Sequence, residues 1–240
     1  FKVPIVGAAA SGNPTTGQMH QWCGERIVEA SISGALLTGS FHTEVGVAQG
    51  CQPFGKTSEI TRAEGKKIFE LDETPALEVL QKSLELLTEE DIQRSGGMVF
   101  LGMAMDDSNR SPEIGDYLIR NIVSIDRESS AVESAEHITE GQIVQFHLRT
   151  PYAARQEIQT IIDRISQKAQ QHPPVFGLYF NCMGRGTGLY GEKNYDIGII
   201  KAKFPDLPII GFFGNAEYAP IGNRNFMHAY TGAFVTCSEE

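Results

Sequence analysis

Short apolar runs separated by polar turns recur from the middle of the chain to its end. Runs of this length that are rich in β-branched and aromatic residues are typical of buried strands. The run at residues 142–149 alternates partly between apolar and polar positions, as a half-exposed strand does. The five predicted strands are residues 98–105, 118–125, 142–149, 175–182 and 207–213.

A longer segment, residues 151–171, repeats its apolar residues at helical spacing. Its apolar stripe consists of Ala154, Ile158, Ile161, Ile162, Ile165 and Ala169. Proline cannot continue a helix, so Pro173 and Pro174 end this one. Three further helix starts are predicted: Thr74 as N-cap with Pro75 as the first helical residue, Thr88 with Asp91 as a capping box, and Asn194 as an N-cap.

Two short sequence words near the start of the chain recur near its end. Residues 4–7 resemble residues 208–211, and residues 34–38 resemble residues 232–236, in the same order. We therefore expect an α+β fold of mostly antiparallel sheets flanked by helices, in two structurally related halves that arose by internal duplication. The second copy follows a strand and a helix that the first copy lacks. We accordingly expect the chain to be the C-terminal part of a longer protein.

The chain is acidic, with a formal net charge of -10 and a pI of about 5.1. Nucleic acids and anionic membranes attract concentrated Lys and Arg, so neither is expected as the main partner. No apolar run approaches the roughly 18 residues that cross a bilayer, and no signal-peptide pattern is present. We expect a cytoplasmic protein.

The cysteines and histidines show no metal-binding spacing. The four cysteines, Cys23, Cys51, Cys182 and Cys237, form no CxxC pair, and the six histidines form no HExxH motif. We expect reduced thiols, no metal site and no cofactor.

A glycine-rich stretch, residues 181–191, follows one predicted strand and precedes a helix. Glycines let the backbone approach a ligand closely, and a guanidinium suits a carboxylate. The candidate ligand-binding residues here are Cys182, Gly184, Arg185 and Gly186. The stretch matches neither a phosphate-binding loop nor GxGxxG. A plain glycine-rich connection with a solvated Arg is an equally good interpretation.

A second stretch, residues 211–228, is expected to be a long polar loop between two strands. Loops on a rigid scaffold often carry binding groups. We expect Glu217 to accept a ligand amine, and Asn225 and His228 to orient it. The alternative is a structural hairpin loop in which Asn and Gly supply left-handed backbone angles.

Arg120 and Asn121 interrupt a predicted apolar strand. A buried Arg needs a partner, either a structural one or a ligand carboxylate. Cys182 is a possible nucleophile with His147 or His228 as base, but a buried, inert cysteine is favoured. His147 is interpreted as a satisfied core histidine.

These motifs resemble the FIST family in both its N-terminal and C-terminal parts. Residues 49–55, 61–65 and 71–77 are similar to the join of the two parts. Similarity to the C-terminal part involves residues 116–121, 141–146, 181–186 and 211–222. The resemblance covers nearly the whole chain. It implies a division into residues 1–72, the C-terminal portion of the FIST N-terminal part, and residues 73–240, the FIST C-terminal part.

The resemblance implies an intracellular sensory domain for signal transduction that binds a small ligand, with an amino acid or a related carboxylate as the favoured class. It supplies no catalytic residues, so no enzyme is expected, and it places the signalling partner outside this chain. Two alternatives stay open. One is a hydrolase or acyl transferase that depends on Cys182, and the other is a protein-interaction module without a small ligand.

Overall fold

The computed structural model describes residues 3–12, 15–105, 109, 111–222 and 224–240. These residues form sixteen strands and five helices. The strands are β1 (Gly7–Ala8), β2 (Gln21–Cys23), β3 (Arg26–Val28), β4 (Phe41–Ala48), β5 (Cys51–Glu64), β6 (Lys67–Leu71), β7 (Thr74–Pro75), β8 (Val99–Ala104), β9 (Tyr117–Asp126), β10 (Ala131–Ser134), β11 (Ile143–Arg149), β12 (Pro174–Cys182), β13 (Ile209–Gly214), β14 (Glu217–Ile221), β15 (Arg224–His228) and β16 (Gly232–Glu239). The helices are α1 (Ala76–Leu84), α2 (Glu89–Ser95), α3 (Pro151–Lys168), α4 (Thr187–Tyr190) and α5 (Tyr195–Lys203).

The chain divides into two compact units. Unit 1 contains Phe1–Ala48 and Ile158–Glu240, and unit 2 contains Gln49–Glu157. The division predicted between residues 72 and 73 follows the family's sequence pattern and falls within unit 2.

Unit 2 is a barrel-like sheet. Its strand order is β10-β9-β8-β11-β5-β6-β7, and β10 pairs with both β9 and β6. Each of these pairings is antiparallel. The helix α1 packs on β5, β6 and β10, and its Val79 and Leu80 join the core. The other large side chains of this core include Phe54, Ile60, Ile68, Leu71, Leu101, Val144, Phe146 and Leu148.

His147 lies inside unit 2, on the central strand β11. Its ring occupies the space beside Gly102, where a Cβ would lie 2.2 Å from His147 Cε1. The Tyr117 ring contacts it edge-on at 4.6 Å, and Nδ1 lies 3.0 Å from the carbonyl oxygen of Gln145. Burial lowers the pKa of His147 to about 4, although the contact with Gln145 opposes this shift. The interpretation of His147 as a satisfied core histidine is confirmed.

Unit 1 is built on a four-stranded sheet in the order β13-β12-β16-β4. The β12–β13 pair is parallel, and the other two pairs are antiparallel. The helices α3 and α5 supply the core, with Ile158, Ile162, Ile165 and Ile200 packed near Phe234. A three-stranded sheet, β1-β14-β15, and the β2–β3 hairpin complete the unit.

The predicted α+β class is confirmed. The five predicted strands are also confirmed, as β8, β9, β11, β12 and β13. The predicted helix at 151–171 is α3, which ends at Lys168, and the predicted stripe is buried except at the half-buried Ala169. The capping box of Thr88 and Asp91 is also present. The strands β4 to β6 were not predicted, because their many polar residues leave no continuous apolar run and obscure the alternation.

Three expectations differ from the structure. Thr74 is not an N-cap, because Thr74 and Pro75 pair with β6 and Pro75 itself caps α1. Residues 211–228 are not one long loop, since most of them form β13, β14 and β15. The internal duplication is not shown: residues 232–236 lie in β16, whereas residues 34–38 form no strand and expose Leu36 and Leu37.

We predict that His147 makes the stability of unit 2 depend on pH. In the unfolded chain its pKa is about 6.5. The unfolded state therefore binds the proton first as the pH falls, and the stabilisation present above pH 6.5 is lost as the pH approaches 4. The loss should amount to about 3 kcal/mol. Urea denaturation between pH 7 and pH 4 measures it, and H147Q should lack this component. Equal pH dependence in the two proteins would contradict the assignment.

Candidate functional site

Unit 1 contains a cavity of about 300 Å³ beside the parallel strands β12 and β13, which reaches their carboxyl ends at Asn181 and Phe213. The chain between these strands forms α4 and α5, so β12, the two helices and β13 make a β-α-β crossover. The carboxyl ends of parallel strands are where such folds commonly bind ligands. The lining residues are Tyr179, Asn181, Gly186, Asn194, Tyr195, Asp196, Ile197, Ile209, Gly211, Phe212 and Phe213.

Two glycines shape this cavity. Gly211 pairs with Tyr179, and a Cβ at Gly211 would lie 1.7 Å from the Tyr179 carbonyl oxygen. No other residue fits there without separating β13 from β12. Gly186 has a φ of +75°, and a Cβ there would lie 3.7 Å from the Phe213 ring. Gly186 therefore allows the positive-φ turn by which the chain leaves β12 close to the Phe213 ring.

A buried ion pair lies behind the cavity. Arg185 Nε is 3.0 Å from Asp196 Oδ2, and both side chains are almost completely enclosed. Arg185 Nη1 also donates to the carbonyl oxygen of Ala48, at the end of β4. The Arg185 guanidinium donates to Tyr190 Oη as well. This network joins the glycine-rich turn, the first turn of α5 and the end of β4.

Asp196 is the acceptor at the centre of this network. Its Oδ2 also accepts from Tyr179 Oη at 2.9 Å and from Asn181 Nδ2 at 3.2 Å, and its Oδ1 accepts from Tyr190 Oη at 2.6 Å. Burial raises the pKa of Asp196, but the charge of Arg185 and these hydrogen bonds outweigh it and keep the pKa below its usual value. Burial also raises the pKa of Tyr179 well above its usual value, so its hydroxyl stays protonated and donates.

The two predicted stretches meet in unit 1. The amide of Cys182 donates to the carbonyl oxygen of Thr231 at 2.8 Å, and the amide of Met183 donates to that of Gly214. A Cβ at Gly184 would lie 3.1 Å from the Tyr230 ring. The glycine-rich turn therefore packs against the residues that precede β14 and those that follow β15.

Glu217 and His228 lie opposite each other in that hairpin. Both are buried. Glu217 Oε2 accepts from the Thr231 amide at 3.1 Å, and His228 Nε2 lies 3.0 Å from the Ala219 carbonyl oxygen. Asn225 connects the hairpin to the start of the chain, since its side chain accepts from the Ile5 amide and donates to the Val3 carbonyl oxygen. None of these three lines the cavity.

Of the predicted residues, Gly186 lines the cavity, and Arg185 lies behind it. The Cys182 side chain is buried, and its sulfur lies 3.4 Å from the Gly184 amide. Arg120 and Asn121 lie in unit 2. There Arg120 forms an ion pair with Glu136 at 2.8 Å, and the Asn121 carbonyl oxygen accepts from the Ala135 amide. A ligand contact by any of these residues stays a prediction.

Sequence reasoning missed Asp196. An acidic residue in the first turn of a helix is ordinarily solvated, where it complements the helix dipole. Asp196 precedes Ile200 by one helical turn, and both are buried. A carboxylate on an apolar stripe, close to an Arg in a glycine-rich turn, is the signal that could have identified the pair.

The described ranges contain no helix long and apolar enough to span a membrane. They also contain no group of three or more His, Cys, Asp or Glu side chains arranged to hold a metal ion.

Comparison with known proteins identifies the family to which the sequence is similar. The sequence matches the family model of the FIST N domain over residues 1–74 and that of the FIST C domain over residues 76–220. An uncharacterized protein of Mycobacterium tuberculosis strain H37Rv is 28% identical over 231 residues, covering 96% of this chain and 60% of that protein. An uncharacterized protein of Mycobacterium bovis is 27% identical over 231 residues, covering 96% of this chain and 59% of that protein. The chain thus spans about 60% of the length of the curated relatives it matches.

We predict that Arg185 is needed mainly because Asp196 is buried. R185M should destabilise the protein by about 3–5 kcal/mol, because it leaves an unpaired buried carboxylate. The double variant R185M/D196L should be less destabilised than R185M alone, since no lone charge remains. Chemical denaturation followed by circular dichroism measures both.

K168M is the matched control for this comparison. Lys168 forms an exposed ion pair with Glu44 in the same unit. Its loss should cost about 0–1 kcal/mol. If R185M and the double variant were equally unstable, the unpaired charge would not be the cause.

Proposed function

The chain belongs to the FIST family, whose domains are generally described as sensory domains for signal transduction, and on this basis we propose that it binds a small ligand in the cavity of unit 1. The proposed ligand is an amino acid or a related carboxylate. The observation that carries the proposal is the cavity itself, which is bounded by the first turn of α5, two aromatic side chains of β13 and the glycine-rich turn. Its volume of about 300 Å³ suits one small molecule.

The carboxylate of such a ligand has a partner other than Arg185. The first amides of a helix have no intrahelical acceptor and carry the positive end of the helix dipole. Asn194, Tyr195, Asp196 and Ile197 bring the start of α5 to the cavity. We assign the ligand carboxylate to the amides of Asp196 and Ile197. Arg185 is then a positioning residue, because it holds Asp196 and with it the first turn of α5.

The proposal extends beyond this chain. Sensing requires an output, and we propose a signalling partner in another protein or domain, in the cytoplasm. A protein-interaction module without a small ligand is less well supported, since the surface near the glycine-rich turn contains a cavity and is not flat.

We also propose a binding role and no catalytic one for this site. The thiol best placed for nucleophilic chemistry, Cys182, is 6% exposed. A reactive cysteine needs access as well as thiolate character. The burial of Cys182 therefore argues against a thiol hydrolase or acyl transferase.

We predict that a panel of small ligands contains a binder whose affinity depends on the aromatic side chains of β13, Phe212 and Phe213. Isothermal titration calorimetry with amino acids and related carboxylates should find it. F213A should weaken its binding by about tenfold or more, because Phe213 lines the cavity. I210A is the matched control, since Ile210 lies on the same strand, is 73% exposed and does not line the cavity. Equal loss in both variants, or no binder in the panel, would refute the proposed site.

We predict slow alkylation of Cys182. Under native conditions near neutral pH, iodoacetamide should label the exposed Cys23 about tenfold or more faster than Cys182, because a buried thiol reacts only when the structure opens. Peptide mass spectrometry over time gives both rates. Selective, fast labelling of Cys182 would instead support the hydrolase or acyl transferase.

A further inference from the structure

We infer that the amino-acid ligand of unit 1 is the carboxyl-terminal residue of a short peptide, whose extended main chain pairs with the open edge of β13. This inference rests on the proposed function and specifies the class of ligand that the cavity receives. Three features support it: outward main-chain groups on β13, a strand edge without protection, and a cavity directly beside that edge.

The main chain of β13 presents hydrogen-bonding groups on its open side. Among the described residues, β13 pairs with β12 alone. The carbonyl oxygens of Pro208 and Gly214 point to β12, since amides in and just after that strand donate to them. Successive residues of a strand direct their main-chain groups alternately to its two sides, so Ile209 and Gly211 direct theirs away from β12. These N–H and C=O groups face no other strand of the described chain, and Gly211 is exposed.

The chain itself covers the next part of this edge. The Ser11 hydroxyl donates to the Phe213 carbonyl oxygen at 2.7 Å. Two residues before Ser11, the main chain of Ala9 is hydrogen-bonded to residues 215 and 216. This cover ends at Phe213, so the open part of the edge is the part that precedes Phe213. A peptide placed there would continue an existing line of main-chain pairing.

The edge formed by β13 lacks the charged side chains, prolines and β-bulges that commonly block strand addition. No residue of β13, Ile209–Gly214, is charged or a proline, and its register with β12 is unbroken. Ile210 is 73% exposed and Phe212 is 47% exposed. At the opposite edge of the same sheet, β4 carries Glu44 in an exposed ion pair with Lys168. The contrast identifies β13 as the edge suited to an added strand.

The cavity lies directly beside this open edge. Ile209, Gly211 and Phe213 all line it, as do the first residues of α5. When a peptide adds to the edge of a sheet, its main chain supplies affinity and pockets beside the edge select its side chains. The walls are mostly apolar and the charge of Asp196 is balanced by Arg185, so an uncharged, apolar side chain suits the cavity. The terminal carboxylate keeps the amides of α5 that are assigned to it above.

A second copy of the chain suits this edge less well than a peptide. Two copies of β13 paired antiparallel about Gly211 would place Phe213 of each copy opposite Ile209 of the other. Ser11 already lies against the Phe213 main chain, so such a pair would require the Ser11 segment to move. A peptide needs only the part of the edge that is open.

The first test asks whether a peptide binds more tightly than its terminal residue alone. Acetyl-alanyl-alanyl-leucine has the carboxylate, side chain and charge of acetyl-leucine and adds an extended main chain. Calorimetry on the 240-residue chain should give the tripeptide an affinity about tenfold or more above that of acetyl-leucine, because main-chain hydrogen bonds are added. Equal or weaker binding of the tripeptide would overturn the inference.

N-methylation tests the strand pairing itself. Successive amides of an extended peptide point to opposite sides, so only alternate amides face β13. Two forms of the tripeptide each carry one N-methyl group, either on the second alanine or on the leucine. One form should lose about tenfold or more in affinity, and the other should stay within about threefold of the unmethylated tripeptide. Equal effects of the two methyl groups would contradict pairing at a strand edge.

Variants assign the pairing to β13. I209P removes an outward amide and no hydrogen bond to β12, and proline is tolerated at such edge positions. I209A is the matched control, since it also removes the Ile209 side chain but keeps the amide. I209A should keep the advantage of the tripeptide over acetyl-leucine, and I209P should reduce that advantage about threefold or more. An unchanged advantage in I209P would refute the assignment, and if I209P fails to fold, the N-methylated tripeptides decide it.

Sedimentation velocity tests whether another copy occupies the edge, and we expect a monomer. A dimer that the tripeptide dissociates would assign the open edge to a second copy and overturn the peptide. If free amino acids bind with the dependence on Phe213 predicted above but the tripeptide binds no better than acetyl-leucine, the inference is wrong and the binding site stands. If neither amino acids nor peptides bind, the proposed function itself fails.

Discussion

The Arg185–Asp196 ion pair holds unit 1 together at the point where three segments converge. Arg185 comes from the turn after β12, Asp196 from the first turn of α5, and the Ala48 carbonyl oxygen from the end of β4. Two buried charges are tolerable only if their remaining hydrogen-bonding capacity is used, and the hydroxyls of Tyr179 and Tyr190 contribute to that. The pair sets where α5 begins, and the start of α5 is one wall of the cavity. Stability and the candidate site thus share one interaction, and a loss of binding in an Arg185 variant would not by itself identify a ligand contact.

Local sequence patterns predicted the strands that are apolar along most of their length and the helix with a regular apolar stripe. The strands β8, β11 and β12 are apolar along most of their length, and α3 repeats its isoleucines on one face, so each was recognisable without knowledge of its neighbours. The strand β5 was not recognisable, because only some of its residues are buried and its Lys, Glu and Arg residues obscure the alternation of apolar and polar positions. The hairpin of β14 and β15 looked like a loop for a related reason, since its Gly, Asn and Pro residues are typical of turns.

The candidate site was predictable in its composition but not in its arrangement. The glycine-rich turn was recognised from its four glycines, and it packs against Gly214, within the second predicted stretch, and against Tyr230 and Thr231, just after it. The role of Arg185 was not predictable, because its partner Asp196 is eleven residues away and looks like an ordinary carboxylate in the first turn of a helix. Asn181 opens the recognised stretch, but its hydrogen bond to Asp196 was not predictable for the same reason. Pairings of this kind depend on the crossover between β12 and β13, which no local pattern encodes.

The position of β13 at the edge of its sheet gives the cavity wall a distinctive energetic character. Among the described residues, β13 is hydrogen-bonded to one neighbouring strand only, whereas β12 has two. Edge strands open more readily than central ones in the sub-global fluctuations of a native protein. A molecule held between α5 and β13 would bind the closed form and not the open one, and so would suppress that opening. Occupancy of the cavity would then be converted into a change in how often one strand detaches, without any need for the rest of the unit to change shape.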